Sequence, residues 1–165
     1  GSTRGSMDHL IGALAFQSAG ANPNNVVYIP YDGGGQALAG LLSGETQLLS
    51  TGFSEALGAG DQLRILGITA NERSADAPSI PTLKEQGYDA YFVNWRGFFG
   101  PPNMNAGDRY EIAKMLGDMQ QTPEWEVVRK RNAYVNIYNP GFDFMAFLEK
   151  QTVEMTALMK KLGVI

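Results

Sequence analysis

The sequence contains no cysteine, only one histidine and no long uncharged apolar run. Without cysteine the chain forms no disulfide and no thiolate metal site, and the single histidine, His9, cannot build a cluster of imidazole ligands. No stretch reaches the roughly 18 apolar residues that a membrane-spanning helix needs, and the first residues lack the basic and then apolar pattern of a signal peptide. These absences predict a chain without a metal site, a cofactor or a membrane helix.

The chain also lacks an excess of positive charge. Its 13 Lys and Arg residues are outnumbered by 17 Asp and Glu residues, which gives a formal net charge of -4. The short basic run from Arg129 to Arg131 is better explained as a solvated helix end, so we expect no nucleic-acid partner. With 44% hydrophobic and 18% charged residues, the chain can bury one core.

No arrangement of residues typical of a catalytic site is present. The sequence contains neither a Gly-x-Ser-x-Gly elbow nor a His-Glu-x-x-His helix, and Gly33 to Gly35 are not followed by the Gly-Lys-Ser/Thr of a P-loop. Asp and Glu residues are scattered rather than paired around one loop, which disfavours a glycosidase-type dyad. We therefore predict no catalytic residue and a protein that is not an enzyme.

Helix and strand patterns alternate over the first hundred residues. Helical spacing of apolar residues predicts four helices, at 7–19, 33–44, 54–58 and 81–86. Runs of β-branched and aromatic residues predict three strands, at 26–30, 46–50 and 63–69, followed by an extended segment at 91–99. Alternation of this kind predicts an α/β fold in which a mostly parallel sheet carries flanking helices.

Beyond Pro101 and Pro102 the pattern becomes helical and rich in methionine. Three helices are predicted there, at 106–119, 124–131 and 142–162, with a short strand at 134–137. The chain is thereby divided into an α/β part at 1–93, a connecting strand at 94–102 and a helical C-terminal segment at 103–165; the family resemblance given below implies that 1–93 is a ligand-binding lobe.

Three loops rich in glycine and hydroxyl side chains each precede a predicted helix. Ligands of open α/β sheets bind at such loops, where helix N-termini direct N–H groups at an anion and glycine lets the main chain approach. Neutral donors of this kind suit reversible binding of an anion. The candidate ligand-binding residues are Ser2, Thr3, Arg4, Gly5, Ser6, Tyr31, Asp32, Gly33, Gly34, Gly35 and Thr51.

Several of these residues have a second explanation that the sequence leaves open. The triple glycine can be a turn that needs positive φ, and Gly1 to Ser6 can be a vector scar rather than a native loop in which Ser6 caps the first helix. Arg4 can form a bidentate pair with a carboxylate if that loop is native. Asp32 either receives a donor group of the ligand or caps the glycine turn, and His9 is better explained as structural.

Two motifs, in this order along the chain, carry a resemblance to a known family. They are Ile29-Pro30-Tyr31-Asp32-Gly33-Gly34-Gly35 and the run from Arg73-Ser74 through Pro81-Thr82-Leu83 and Gly87 to Trp95-Arg96-Gly97-Phe98-Phe99-Gly100-Pro101. With them the chain resembles the second half of the Bug-type, TctC-like solute-binding receptors of bacterial tripartite tricarboxylate transporters. The resemblance extends to Asp8-His9-Leu10, to Leu42-Ser43-Gly44-Glu45 and to the closing helix.

The resemblance implies one lobe of a periplasmic-binding-protein type II-like fold. Receptors of this kind are periplasmic, close two α/β lobes on a small carboxylate, and deliver it to membrane transporter subunits. A helix-N-terminal loop from each lobe grips the carboxylate, and here Gly1–Ser6 and Tyr31–Gly35 match the loops of the second lobe. The implied ligands are dicarboxylates, tricarboxylates, amino acids or aromatic acids. Gln47 departs from the family, which often has Asp at this position. No role that needs an acidic side chain is therefore carried over to it.

The signal peptide and the first lobe of such a receptor are not in this sequence, so we expect a fragment or truncated receptor. Its C-terminal helices would expose an apolar face that normally covers the first lobe, which favours a homodimer. Trp95 is either a core anchor or, on the interlobe strand, a residue near the cleft. Two other functions stay open: a small α/β enzyme that binds a phosphorylated substrate at Gly33–Gly35, and a helical interaction module.

Overall fold

The computed structural model describes all 165 residues, and its regular secondary structure is helical. Six α-helices follow one another along the chain: α1 (Met7–Ser18), α2 (Gly34–Leu42), α3 (Phe53–Gly58), α4 (Ala106–Met119), α5 (Pro123–Arg131) and α6 (Gly141–Lys161). Two short 3₁₀ turns lie at Pro23–Asn25 and Gly60–Gln62. Every predicted helix except the one at 81–86 therefore has a counterpart whose ends agree within two residues.

The expected α/β fold with a mostly parallel sheet is wrong, and the sheet-based lobe of the type II kind is corrected with it. Helices hold 47% of the residues, strands hold 1%, and no sheet forms. The segments at 26–30, 46–50, 63–69 and 134–137 contain no regular strand, and strand pairing is limited to one isolated parallel bridge between Ile68 and Thr82.

The physical reason is that a strand needs a continuous ladder of hydrogen bonds to a neighbour, which β-forming residues alone do not specify. The main-chain bonds here are few. Ile68 donates to the Pro81 carbonyl at 3.1 Å and accepts from the N–H of Leu83 at 2.9 Å, which forms the bridge, and the N–H of Phe92 donates to the carbonyl of Thr69 at 3.0 Å. These bonds hold the segments side by side without building a sheet.

The predicted helix at 81–86 is also wrong, because this segment forms a turn. Thr82, which is fully buried, exchanges two hydrogen bonds with Glu85: its N–H donates to Oε2 at 2.7 Å, and its hydroxyl accepts from the Glu85 N–H at 3.0 Å. This reciprocal pattern normally starts a helix. Here Gly87, with φ +89°, turns the chain away, and the N–H of Tyr88 donates back to Leu83 at 2.9 Å.

The chain forms two compact units, one made of residues 1–94 and 153–165 and the other of residues 95–152. The core of the first unit joins α1, the 88–94 segment and the C-terminal half of α6 through the buried side chains of Leu10, Phe92 and Leu158. Partly buried apolar residues surround them: Ile11, Leu14, Met155, Met159 and Leu162. Their helical spacing gives each helix one apolar stripe. The domain boundaries at 93 and 102 stay a prediction.

The second unit contains α4, α5, the N-terminal half of α6 and a cluster of aromatic rings. We define the aromatic cluster as Trp95, Phe99, Phe144 and Phe147. Trp95 meets Phe144 and Phe147 edge to face, with ring centroids 5.5 Å and 5.6 Å apart. A Cβ on Gly97 would lie 2.7 Å from the Phe144 ring, so glycine permits this close packing. None of the helices is both long enough and apolar enough to cross a membrane.

Candidate functional site

The loop before α1 is held by the first turn of that helix. Ser2 donates two hydrogen bonds to Oδ2 of Asp8, from its N–H at 2.8 Å and from its hydroxyl at 2.7 Å. The hydroxyls of Ser2 and Ser6 lie 3.0 Å apart. Ser6 occupies the N-cap position, as predicted, but its side chain makes no capping bond. These hydroxyls are engaged within the loop, whereas Thr3 and Arg4 are exposed.

His9 and Tyr28 support the same loop. The Gly5 N–H donates to Nδ1 of His9 at 3.1 Å, and the Tyr28 hydroxyl donates to the Ser2 carbonyl at 2.6 Å. The two rings lie 4.3 Å apart between centroids and are tilted by 39°. Burial lowers the pKa of the His9 imidazole, with the charge of Arg4 acting in the same direction, and burial raises the pKa of Tyr28. At neutral pH His9 is therefore an acceptor and Tyr28 a protonated donor.

The loop before α2 lies against the first loop. The Tyr31 N–H donates to the carbonyl of Gly1 at 3.0 Å. The Tyr31 hydroxyl donates to Oε2 of Glu45 at 2.9 Å, and partial burial together with this carboxylate raises the pKa of Tyr31. Asp32 is exposed, and its N–H donates to the side-chain oxygen of Gln36 at 3.3 Å. The carboxylate of Asp32 therefore faces solvent at the edge of this loop.

The triple glycine does not form a turn with positive φ. Gly33 has an extended backbone at the N-cap of α2, with φ -178°, and neither Gly34 nor Gly35 has positive φ. A Cβ on Gly33 or Gly35 would meet no atom within 4 Å, so these glycines leave the start of α2 open. The first N–H groups of a helix have no acceptor within it and carry the positive end of the dipole.

The loop before α3 brings an acid into this region. The Thr51 hydroxyl and the Gly52 N–H both donate to Oε2 of Glu55, the second at 3.3 Å. A Cβ on Gly34 would lie 3.1 Å from each carboxylate oxygen of Glu55. The Ser50 hydroxyl oxygen is buried and has no hydrogen-bond partner. Glu55 therefore links the start of α3 to the start of α2.

The three loops meet in the first unit. Beyond the Tyr31 bond, a Cβ on Gly1 would lie 3.1 Å from the Ser50 carbonyl. We call the region formed by residues 1–6, 31–35 and 50–52 the three-loop site. It contains all the candidate ligand-binding residues predicted from the sequence: Ser2, Thr3, Arg4, Gly5, Ser6, Tyr31, Asp32, Gly33, Gly34, Gly35 and Thr51. Trp95 belongs instead to the aromatic cluster of the second unit.

Sequence reasoning missed three side chains of this region, Tyr28, Glu45 and Glu55. Glu55 had a local signal, because a glutamate three residues after the N-cap Gly52 can accept from its N–H, the half of a capping box that needs no N-cap side chain. Tyr28 and Glu45 had none, since they bond to residues 26 and 14 positions away. No group of three or more His, Cys, Asp or Glu side chains in the chain could hold a metal ion.

The open Gly33 and Gly35, the exposed Thr3 and Arg4 and the start of α2 make the three-loop site a candidate for binding a small anionic solute. Over residues 2–164 the sequence matches the family model described as tripartite tricarboxylate transporter family receptor. The chain therefore belongs to this family of solute-binding receptors for tripartite transporters, and the resemblance noted in the sequence is confirmed. No individual curated protein matches the chain.

Proposed function

We propose that this chain binds a small carboxylate at the three-loop site and serves as an extracytoplasmic receptor for a tripartite tricarboxylate-type transporter. The observation that carries the proposal is the meeting of three glycine- and hydroxyl-rich loops at the start of α1 and α2 in a chain of this receptor family. The protein acts by binding and release, without catalysis. The ligand class spans dicarboxylates, tricarboxylates, amino acids and aromatic acids.

Each residue type of the three-loop site has its own role in the proposed binding of a carboxylate. Arg4 supplies the positive charge and a fork that matches a carboxylate, although one of its nitrogens also lies 3.4 Å from the Tyr28 carbonyl. Thr3 adds a hydroxyl donor, and Thr51 becomes one when its hydroxyl turns from Glu55 to the ligand. Gly33 and Gly35 let the ligand reach the main-chain N–H groups at the start of α2. Asp32 receives a donor group of the ligand, such as an amine or hydroxyl.

A thermal-shift assay against a panel of these acids tests the proposal. Binding to the folded state raises its stability by RT ln(1 + [L]/Kd), or about 2.7 kcal/mol when the free acid is at 100 times its Kd. We expect one acid to raise the melting temperature. No change of melting temperature with any carboxylate, combined with an increase by nucleotides or sugar phosphates, would contradict the proposal and support a phosphate-binding enzyme.

Arg4→Ala then locates the binding site. We expect it to weaken affinity for the selected acid by about tenfold to a hundredfold, because hydrogen bonds to charged groups are stronger than neutral ones. Arg64→Ala is the matched control, since Arg64 is an exposed arginine of the same unit. Equal affinities of the two variants, measured by calorimetry, would exclude a role for Arg4.

Two partners complete the proposal: the membrane subunits that receive the solute and a second copy of this chain. The helices α4 to α6 expose large apolar side chains, which favours association: Tyr110, Met115, Val127, Phe142 and Met145. Light scattering over a range of concentrations is expected to show a homodimer, and a monomer at high concentration would contradict it. Cell fractionation tests the periplasmic location.

A further inference from the structure

The loop before α1 is tied to that helix by a bond that only an unprotonated nitrogen can accept. The Gly5 N–H donates to Nδ1 of His9 at 3.1 Å, so Nδ1 carries no proton. His9 is buried, with 8% of its surface exposed, and its ring packs against Tyr28. Gly5 has φ +80°, which glycine adopts without strain. The anchor of Gly5 therefore lasts only while Nδ1 is free to accept.

Of the charged and titratable neighbours of His9, Arg4 favours its neutral form, and neither Asp8 nor Tyr28 is bonded to its ring. Arg4, in the same loop, places a positive charge near the imidazole. Asp8, the preceding residue in α1, has Oδ2 engaged by two hydrogen bonds from Ser2. Tyr28 is a neutral phenol bonded to the Ser2 carbonyl. No anion in this group is placed by a hydrogen bond to stabilise an imidazolium.

Two apolar side chains from the end of the chain pack against Gly5. A Cβ on Gly5 would lie 2.9 Å from Cγ1 of Val164 and 3.9 Å from Cε of Met159. Gly5 is therefore seated between its bond to His9 on one side and apolar atoms of the C-terminal residues on the other.

We propose that His9 is a positioning residue for the Gly1–Ser6 loop, and that a proton taken up from solvent by Nδ1 breaks the bond from Gly5 and loosens the loop at Arg4 and Gly5, while Ser2 keeps its bonds to Asp8. Two donors, N–H of Gly5 and N–H of the imidazolium, then face each other without an acceptor. Because Thr3 and Arg4 lie in this loop, carboxylate binding weakens in acid; this last step rests on the proposed function.

The pH window follows from the sign of the pKa change. Burial, followed by the charge of Arg4, lowers the pKa of His9 in the folded protein below the ordinary value of 6.5. Between these two pKa values the unfolded chain binds more protons than the folded one, so stability falls as the pH falls. The contribution of neutral His9 to the free energy of unfolding is fully present above pH 6.5, and it is lost as the pH drops from 6.5 towards the lowered pKa of the folded state.

Nuclear magnetic resonance of the whole chain tests the bond directly, because His9 is the single histidine and its ring signals need no assignment. The probes are the ring ¹⁵N shifts of His9 and the exchange protection of the Gly5 amide, relative to its intrinsic rate, from pH 7.5 to pH 5. We expect both to change together, with Gly5 losing about fivefold protection, the factor of an ordinary hydrogen bond.

Two variants separate positioning from general stability. His9→Asn keeps an acceptor oxygen at the Nδ1 position, has a similar helix propensity and does not titrate, so Gly5 should stay protected at every pH. His9→Leu removes the acceptor, so Gly5 should be unprotected at every pH. The proposal would be overturned if the protection of the wild-type Gly5 amide did not follow the His9 titration. It would also be overturned if Gly5 protection in His9→Asn changed with pH as it does in the wild type.

Ligand affinity is a separate readout. With the acid selected by the panel, we expect the wild-type affinity to fall between pH 7 and pH 5 and the His9→Asn affinity to stay constant over that range. If no acid binds at any pH, the carboxylate proposal fails, while the coupling of Gly5 to His9 is still decided by the exchange data. If an acid binds with the same pH dependence in both proteins, the positioning role is refuted.

Discussion

Around the three-loop site of the first unit, order comes from hydrogen bonds, whereas in the second unit it comes from the packing of aromatic rings. Ser2, Gly5 and Tyr31 are each held by a specific polar partner. Trp95 and Phe144 are held by edge-to-face contact. An exposed loop can replace its hydrogen bonds with hydrogen bonds to a ligand at little cost in free energy. Packed aromatic rings have no such replacement for their contacts. We therefore expect ligand binding at the first unit, as proposed, and rigidity in the second.

The largest effect is expected from Phe144→Ala in the aromatic cluster. The variant removes ring contacts to Trp95, Phe99 and Phe147, and the free energy of unfolding should fall by about 2 kcal/mol, less than for a fully buried ring because Phe144 is partly exposed. Urea denaturation measures it. The matched control is Phe142→Ala on the same helix, where the side chain is 87% exposed.

If aromatic packing orders the second unit, Phe142→Ala changes stability by less than about 0.5 kcal/mol. Neither variant should change the affinity of the three-loop site for its acid. Equal stability losses in the two variants would mean that the aromatic cluster is not what stabilises this unit.

A smaller effect is expected from Tyr28→Phe in the first unit. The ring against His9 is kept, but the hydrogen bond to the Ser2 carbonyl is lost, so the free energy of unfolding should fall by about 1 kcal/mol. Ligand affinity should fall as well, because Ser2 belongs to the three-loop site. Tyr91→Phe, at an exposed tyrosine of the same unit, is the control. Unchanged stability and affinity in Tyr28→Phe would show that this bond does not order the loop.

The smallest effect on stability concerns a surface ion pair of the second unit. Arg129 donates from Nε and Nη2 to the two carboxylate oxygens of Glu126, at 2.8 Å and 2.9 Å. This bidentate bond, with Lys130 nearby, lowers the pKa of Glu126 from 4.5 to about 2. The associated stability is present above pH 4.5 and is lost as the pH falls towards 2.

Carboxyl ¹³C shifts of Glu126 measure its titration in the wild type and in Arg129→Gln. The midpoint should rise towards 4.5 in the variant. The ion pair itself contributes little to stability because the Glu126 side chain is 45% exposed, and any larger loss reports the Arg129 bond to the Tyr134 carbonyl at 2.7 Å. A wild-type midpoint already near 4.5 would refute the bidentate bond.

The helices were predictable because their signals are local. Ser6 and Thr122 stand at N-caps, Pro123 opens α5, and Gly20 and Gly44, both with positive φ, follow the ends of α1 and α2. The turn at 81–86 shows the limit of such signals, since it has the capping pattern of a helix without becoming one. A capping pattern leads to a helix only if the residues after it keep helical backbone angles, and Gly87, with φ +89°, does not.

The absence of a sheet was not predictable, because strand pairing depends on partners distant in the sequence. Ile68 and Thr82 pair at one position only, although the residues around Ile68 are good β formers. The loops of the three-loop site were predictable from glycine and hydroxyl residues placed ahead of helices. Their supports, Tyr28 and Glu45, were not, since nothing local marks a tyrosine or glutamate as the partner of a distant loop.

One measurement tests the central claim most directly: a ¹H–¹⁵N titration of the chain with the acid that the thermal-shift panel selects. The account predicts that amide shifts concentrate at residues 2–6, 31–35 and 51, with Gly33 and Gly35 among the largest because no atom lies within 4 Å of where their Cβ atoms would be. Shifts concentrated instead around Trp95 and the aromatic cluster, with the three loops unchanged, would contradict it.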